Sequence, residues 1–428
     1  MDSATFGWFA LATDLTCCSC LILVRTVSFP ALILALTATF LFGLGTFAGT
    51  FAITLYTFAI MTKLTYEDAS AADVKAYQAL RAMGVSKYVA YIHGILPEII
   101  PGFLTNALYL LETNVRHSSI LGYVGAGGIG LLLNEKISWL EYDKVGTILL
   151  MLFLTVCVIE YFSRYLAALI RKERTIKKEQ ARLLLLFLAA LFLICTFTLS
   201  LPDFSRTSPQ TLRNMFAGFL QPDWSFFFSA EKDGLGYLLL ETVCIAFIGT
   251  VIGAIVSAPL AFLNTKRFVP APVSFLFNLV IMVIRSVPFL VYGLIFIRVS
   301  GPGAFTGVLT LAVCSIGLLT KRFTEALDAL DPRPYHALLA MGVRPLPAIC
   351  HSVLPQLKPV FTSIILYRFD VNIREASVLG LVGAGGIGAP LIFSMNQYAW
   401  EKAGAIMLGL ILLVWFIDMV SEKIGAGN

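Results

Sequence analysis

Long apolar runs alternate with short polar stretches along the whole chain, and the runs have the length of membrane-crossing helices. About 20 apolar residues in a helix cross the hydrocarbon layer. Runs of that kind stand at about 18–40, 44–62, 96–115, 146–170, 183–201, 236–263, 272–298, 303–320, 354–373 and 403–420. The pattern predicts an all-α integral membrane protein of about ten transmembrane helices. Cytoplasmic loops are rich in Lys and Arg, which orients the spans. The most basic stretch, Arg171 to Arg182, belongs inside. The following span then places 202–235 outside, a turn-rich segment with Pro202, Asp203, Pro209, Pro222 and Asp223. Lys266 and Arg267 come next inside, then Lys321 and Arg322 with the rest of 321–353, and finally the C-terminus.

Composition agrees with a bilayer as solvent. Hydrophobic residues make up 58% and charged residues 13%, against about 25% charged in soluble domains. The net charge of +5 comes from basic residues that flank apolar runs, which disfavours nucleic-acid binding. Cys157, Cys195, Cys244 and Cys314 stand singly in apolar runs. Cys17, Cys18 and Cys20 have no second Cys/His cluster to complete a metal site. Asp2 and Asp14 occupy the region where a signal peptide carries positive charge.

The chain repeats itself at an offset of 258 residues. Over 77–130 against 335–388, 27 of 54 positions are identical without a gap. Thr62-Lys63 returns as Thr320-Lys321, and Leu96-Pro97 as Leu354-Pro355. Two homologous halves of one fold follow. The first, 1–175, has about four spans and lacks two opening ones; the second, 176–428, has about six and the external segment 202–235. Even numbers of spans leave both copies of the 77–97 segment facing the cytoplasm.

Three repeated motifs carry candidate chemistry. The first is Ala79-x-x-Ala82-Met83-Gly84, again Ala337-x-x-Ala340-Met341-Gly342, with Leu-Pro downstream. The Ala residues leave a flat helix face, Gly84 and Gly342 permit a sharp turn, and Pro97 and Pro355 suit the first turn of the next helix. A short cytoplasmic helix results, free to dock a partner. The second is Val-Gly-Ala-Gly-Gly-Ile-Gly at 124–130 and 382–388, with Gly125, Gly127 and Gly128 matching Gly383, Gly385 and Gly386. It mimics a dinucleotide fingerprint but follows a membrane helix instead of a strand. Close helix packing and a backbone N–H nest for an anion both remain open. The third is Glu112-x-Asn114-x-Arg116, repeated as Asp370-x-Asn372-x-Arg374. Acid and Arg are four apart, the favoured ion-pair order, with Asn on a neighbouring face. Arg suits tetrahedral oxyanions, but a salt-bridged Arg at headgroup level also fits.

The first motif resembles the coupling loop of ABC importer permeases, with Glu67 and Glu325 opening the corresponding regions. The series Tyr109, Glu112, Asn114, Arg116 and 121–130, repeated as Tyr367, Asp370, Asn372, Arg374 and 379–388, resembles phosphonate-type ABC permeases. Arg285-Ser286-Val287-Pro288 looks like the same family's earlier span, with Arg25-Thr26-Val27-Ser28 as its counterpart at an offset of 260. The resemblance implies a type I ABC importer permease fold in the bacterial inner membrane, here a tandem fusion. It implies two ATP-binding cassette ATPase subunits docked on the two loops, an extracytoplasmic solute-binding protein, no cofactor, and alternating access driven by ATP. The chain itself would not hydrolyse ATP; it holds no Gly-Lys-Ser/Thr P-loop. The substrate implied is phosphonate or a related phosphorus oxyanion such as phosphite or a phosphate ester. A permease for methionine or an osmolyte, and a secondary transporter acting alone, are the competing expectations. A membrane enzyme finds no constellation among His93, His117, His336 and His351.

Overall fold

The computed structural model describes residues 31–43, 45–122, 125, 127–170, 186, 190, 192–197, 209–229, 234–265, 267 and 269–426. The expected run 18–30, Cys17, Cys18, Cys20, Arg25 to Ser28, the basic stretch 171–182 and most of 183–208 lie outside the described residues. The chain divides into two compact units, Met1–Ser208 and Pro209–Asn428.

Unit 1 contains α1 (Ala31–Phe42), α2 (Thr46–Ala71), α3 (Lys75–Ala82), α4 (Lys87–Gly94), α5 (Leu96–Leu121), α6 (Ile129–Ser138) and α7 (Tyr142–Ile170). Unit 2 contains α8 (Pro209–Leu220), α9 (Trp224–Phe227), α10 (Leu235–Asn264), α11 (Ala271–Ser286), α12 (Phe289–Ser300), α13 (Ala304–Ala329), α14 (Arg333–Ala340) and α15 (Pro345–Ala348). A π-turn, Ile349–Val353, leads into α16 (Leu354–Leu379), followed by α17 (Gly388–Asn396) and α18 (Trp400–Ala426). Among the described residues, six helices are long and apolar enough to cross a membrane, or eight if each of two bent pairs is one span.

The repeat is written into the backbone. Helices α1, α2, α3 and α5 have the same bounds as α12, α13, α14 and α16 once 258 is added. All the positive-φ residues of the described set also pair at that offset. They include Gly84 with Gly342, Gly127 with Gly385, and the non-glycine pair Leu140 and Tyr398. A non-glycine residue seldom adopts φ near +58°, so a shared turn at Leu140 and Tyr398 reports a shared fold.

The run expected as one span over 272–298 is divided in two, with α11 and α12 bent by 84°. Pro288 lacks an N–H and disfavours helical backbone at the residue before it. Val287 is accordingly extended, at φ −79° and ψ 124°.

Unit 2 packs most closely where α10 meets α13. Gly249, Gly253 and Ser257 form a small-residue stripe on α10, the membrane-helix device for close approach. A Cβ on Gly249 would lie 2.8 Å from Leu311 Cβ, and one on Gly253 would collide with Ser315 Cβ. Two apolar clusters flank this seam. One joins Ile245, Leu311, Ile373 and Leu379; the other joins Leu319, Phe323, Leu327 and Leu357. Phe323 and Phe361 stack at 3.9 Å.

Candidate functional site

The short helices α3 and α14 are built alike from end to end. At the start of α3, Asp73 Oδ1 accepts the Lys75 backbone N–H at 2.9 Å and pairs with Lys75 Nζ. At the start of α14, Asp331 Oδ1 accepts the Arg333 N–H at 3.0 Å and pairs with its guanidinium. The Arg333 side chain and backbone N–H hold the Asp331 carboxyl below the ordinary carboxylate range. Each helix closes in a Schellman turn. Val85 N–H donates to Leu80 O and Gly84 N–H to Arg81 O; Val343 donates to Leu338 O and Gly342 to Leu339 O. Gly84 and Gly342 both take φ +82°, which needs no Cβ.

Neither helix has a buried residue. Ala79, Ala82, Ala337 and Ala340 are exposed, and beyond them Met83 and Met341 are 70% and 74% exposed. Glu325 is exposed and pairs with Lys321 and Arg322; the Glu67 side chain lies outside the described set. A cavity of about 290 Å³ lies beneath α14, between Arg267, Leu327, Leu330, Tyr335, His336 and Val353.

The Gly-rich runs are packed turns. In unit 2, Gly383 N–H donates to Gly380 O, and Gly383 O accepts the Gly303 N–H just before α13. In unit 1, Gly125 N–H donates to Gly122 O, and Gly125 O accepts the Gly45 N–H before α2. A Cβ on Gly385 would stand 2.7 Å from Ala304 Cα, and one on Gly380 2.5 Å from Gly388 N. Thr242 Oγ1 accepts the Ile387 N–H. Gly386 is buried, and a Cβ on it would meet that hydroxyl at 2.8 Å. Val124 and Ala126 lie outside the described residues.

The polar series lies on α5 and α16. Asp370 is buried and accepts an ion-paired hydrogen bond from Arg374 four residues on. Glu112 is half-buried, and the Arg116 side chain lies outside the described set. The Asn residues face away from this pair, about 200° round the helix at 100° per residue. Asn114 Nδ2 donates to Thr57 Oγ1 at 2.8 Å. Asn372 Nδ2 donates to Ser315 Oγ at 2.9 Å and to Thr250 Oγ1 at 2.7 Å. Thr57 and Ser315 are repeat equivalents, so both units carry the same Asn–hydroxyl junction. In unit 2, Thr250 on α10 adds a second arm.

One further pair escaped the sequence reasoning. Arg368 is buried and bonds Glu375 at 2.8 Å. Their spacing of seven, two helical turns, was a usable signal for opposite charges on one helix face. Leu110 and His117 stand at the matching positions, so the repeat carries no signal for this pair.

Known proteins agree with this architecture. The family model described as binding-protein-dependent transport system inner membrane component matches residues 9–176 and 249–424. The chain belongs to this family. It is therefore a multi-pass inner-membrane permease component of an ABC importer, all-α and built from two homologous segments. It is 28% identical over 400 residues to the phosphate-import permease protein PhnE of Mycolicibacterium smegmatis, covering 92% of this chain and 74% of that protein. It is 36% identical over 184 residues to the phosphite transport system permease protein PtxC of Stutzerimonas stutzeri, covering 43% of this chain and 67% of that protein.

Proposed function

We propose that this permease imports phosphonate or a related phosphorus oxyanion, such as phosphite or a phosphate ester. The acid–Asn–Arg series carries this reading: it recurs in register on α5 and α16, and its Asn is anchored to a hydroxyl in both units. Arg116 and Arg374 present planar forks of N–H donors suited to tetrahedral oxyanions, with Glu112 and Asp370 as counter-charges. The relatives are a phosphate-import and a phosphite permease, which supports the same substrate class.

Two ATPase subunits dock on α3 and α14. Their contacts are the Ala79–Ala82 and Ala337–Ala340 faces, the exposed Met83 and Met341, and Glu67 and Glu325. The Schellman turns fix where each Met projects. A solute-binding protein delivers the anion from outside. ATP binding and hydrolysis belong to the ATPases, and the chain converts their closure into rigid-body alternating access. The Gly-rich turns around Gly125, Gly127, Gly128, Gly383, Gly385 and Gly386 hold the ends of α5 and α16 against α2 and α13. No cofactor takes part.

The test is uptake of radiolabelled methylphosphonate by cells expressing the complete transporter. Arg116→Ala with Arg374→Ala should abolish uptake while the ATPases still co-purify. Normal uptake by that double variant rules out the arginine role.

A further inference from the structure

Helix α16 carries a second ion pair on the side opposite Asp370 and Arg374. Positions 368, 372 and 375 fall in one narrow stripe at 100° per residue. That stripe meets α10 through Thr250 and α13 through Ser315. Arg368 Nη2 donates to Glu375 Oε2 at 2.8 Å and Nη1 to Oε1 at 3.4 Å, a fork-to-fork arrangement. Its Nε donates to Ser315 Oγ at 3.2 Å, the same hydroxyl that takes Asn372. The Arg368 side chain is 5% exposed and that of Glu375 18%, so the carboxylate covers a deeper guanidinium.

Unit 1 supplies the internal control. It keeps the Asn–hydroxyl junction, Asn114 on Thr57, with buried Leu110 where Arg368 would stand and His117 where Glu375 would stand. Leu110 carries no charge, so the Asn–hydroxyl junction closes there without a counterpart of the 368–375 pair. Desolvating two ions disfavours a buried pair relative to apolar side chains of similar volume, so packing alone does not account for the charges. An ionisable group inside a membrane span is a functional candidate on the same ground.

We infer that Arg368 is an oxyanion-binding residue of unit 2, with Glu375 as its resting counter-ion. The carboxylate holds the place that two substrate oxygens take: it meets the same fork of donors, beside the Ser315 hydroxyl. An entering phosphorus oxyanion displaces Glu375 from Arg368, and Glu375 recovers the arginine when the anion leaves. The charge at this site is thereby confined to the second unit. This inference rests on the oxyanion reading of the transporter.

The experiment reconstitutes the chain with its ATPases and binding protein in proteoliposomes and measures uptake of methylphosphonate, phosphite, phosphate and methionine. Wild type should take up at least one phosphorus oxyanion; uptake of methionine alone would reject the substrate class itself. Given oxyanion uptake, Glu375→Gln should lower the apparent KM, because Arg368 loses its competitor. The neutral pair Arg368→Gln with Glu375→Gln keeps hydrogen-bonding shape without charge. It should assemble with the ATPases yet lose about tenfold or more in uptake, the scale of one charge-assisted hydrogen bond. Normal uptake by the neutral pair, its failure to assemble, or an unchanged KM in Glu375→Gln each overturns the inference and makes the ion pair structural.

Discussion

Alanine substitution along one Gly-rich turn separates backbone strain from crowding. Gly383 and Gly385 sit two residues apart with similar backbones, at φ +92° and +82°. Alanine at either must adopt left-handed backbone, which costs roughly 1–2 kcal/mol. Their surroundings differ. The nearest atom to a Cβ on Gly383 is Pro302 Cβ at 3.8 Å, an ordinary contact. A Cβ on Gly385 meets Ala304 Cα at 2.7 Å and Ala304 N at 2.8 Å, both backbone atoms of the first turn of α13. Relief requires moving α13 away from the turn, against the Gly303–Gly383 hydrogen bond at 3.0 Å. Overpacking of this kind adds about 1–3 kcal/mol. For a unit of this size each kcal/mol shifts Tm by about 2–4 °C. Gly383→Ala should lower the melting temperature of the purified transporter by about 2–8 °C, and Gly385→Ala by a further 2–12 °C or so. In unit 1 the close atom to Gly127 is a side chain, Thr46 Cγ2 at 2.9 Å, with Thr46 N at 3.4 Å. Gly127→Ala should therefore fall between the other two. Thermal melts followed by size-exclusion give the ranking. Equal loss at Gly383 and Gly385 would refute the claim that the run is shaped by contact with α13.

The two Asn junctions should differ in depth: Asn372→Leu removes two hydrogen bonds and Asn114→Leu one, each worth about 0.6–1.5 kcal/mol. Melting temperatures should fall further for Asn372→Leu, and the opposite order would contradict the assigned contacts. Gly84→Asp or Gly342→Asp places a branched, charged side chain at φ +82° on an otherwise open turn. Either should weaken ATPase co-purification while leaving the chain in the membrane; undiminished co-purification with normal substrate-stimulated turnover counts against docking at α3 and α14. Asp223 caps α9, and the Ser225 hydroxyl and Phe226 N–H hold its carboxyl below the ordinary range. A lowered folded pKa means that this stabilisation is complete above the ordinary carboxylate value and is lost as pH falls through the lowered one. Trp224 emission, read in a single-tryptophan background, should stay constant down to the ordinary range and shift only below it. A shift already at mildly acidic pH would show that the cap does not hold the helix.

The tandem fold was legible because the repeat fixes register. An ungapped offset of 258 over the 77–130 window extends to helix ends and turns well outside it, as far as Ala31 and Tyr398. The break between α11 and α12 was less legible. Val287 and Pro288 are themselves apolar, so a hydropathy window runs across them, and only the proline's missing N–H marks the bend. In the candidate site, the motif residues recur in matching places, but their neighbours were hidden. Thr57, Ser315 and Thr250 are ordinary helix hydroxyls in sequence, and only the fold shows that two Asn side chains converge on them. Asn372 also faces away from the Asp370–Arg374 pair instead of flanking it. Arg368 and Glu375 have no charged counterparts at Leu110 and His117, so the repeat that exposes the other motifs is silent about them.

ATP hydrolysis in proteoliposomes distinguishes an oxyanion importer from the alternatives. The chain, its co-purifying ATPases and its binding protein are reconstituted together, and turnover is measured with methylphosphonate, phosphite, phosphate and methionine. A phosphorus-oxyanion importer predicts low basal hydrolysis that rises with at least one of the three oxyanions and not with methionine. Stimulation by methionine alone would contradict the substrate class, and a chain that transports without any ATPase would contradict the account as a whole.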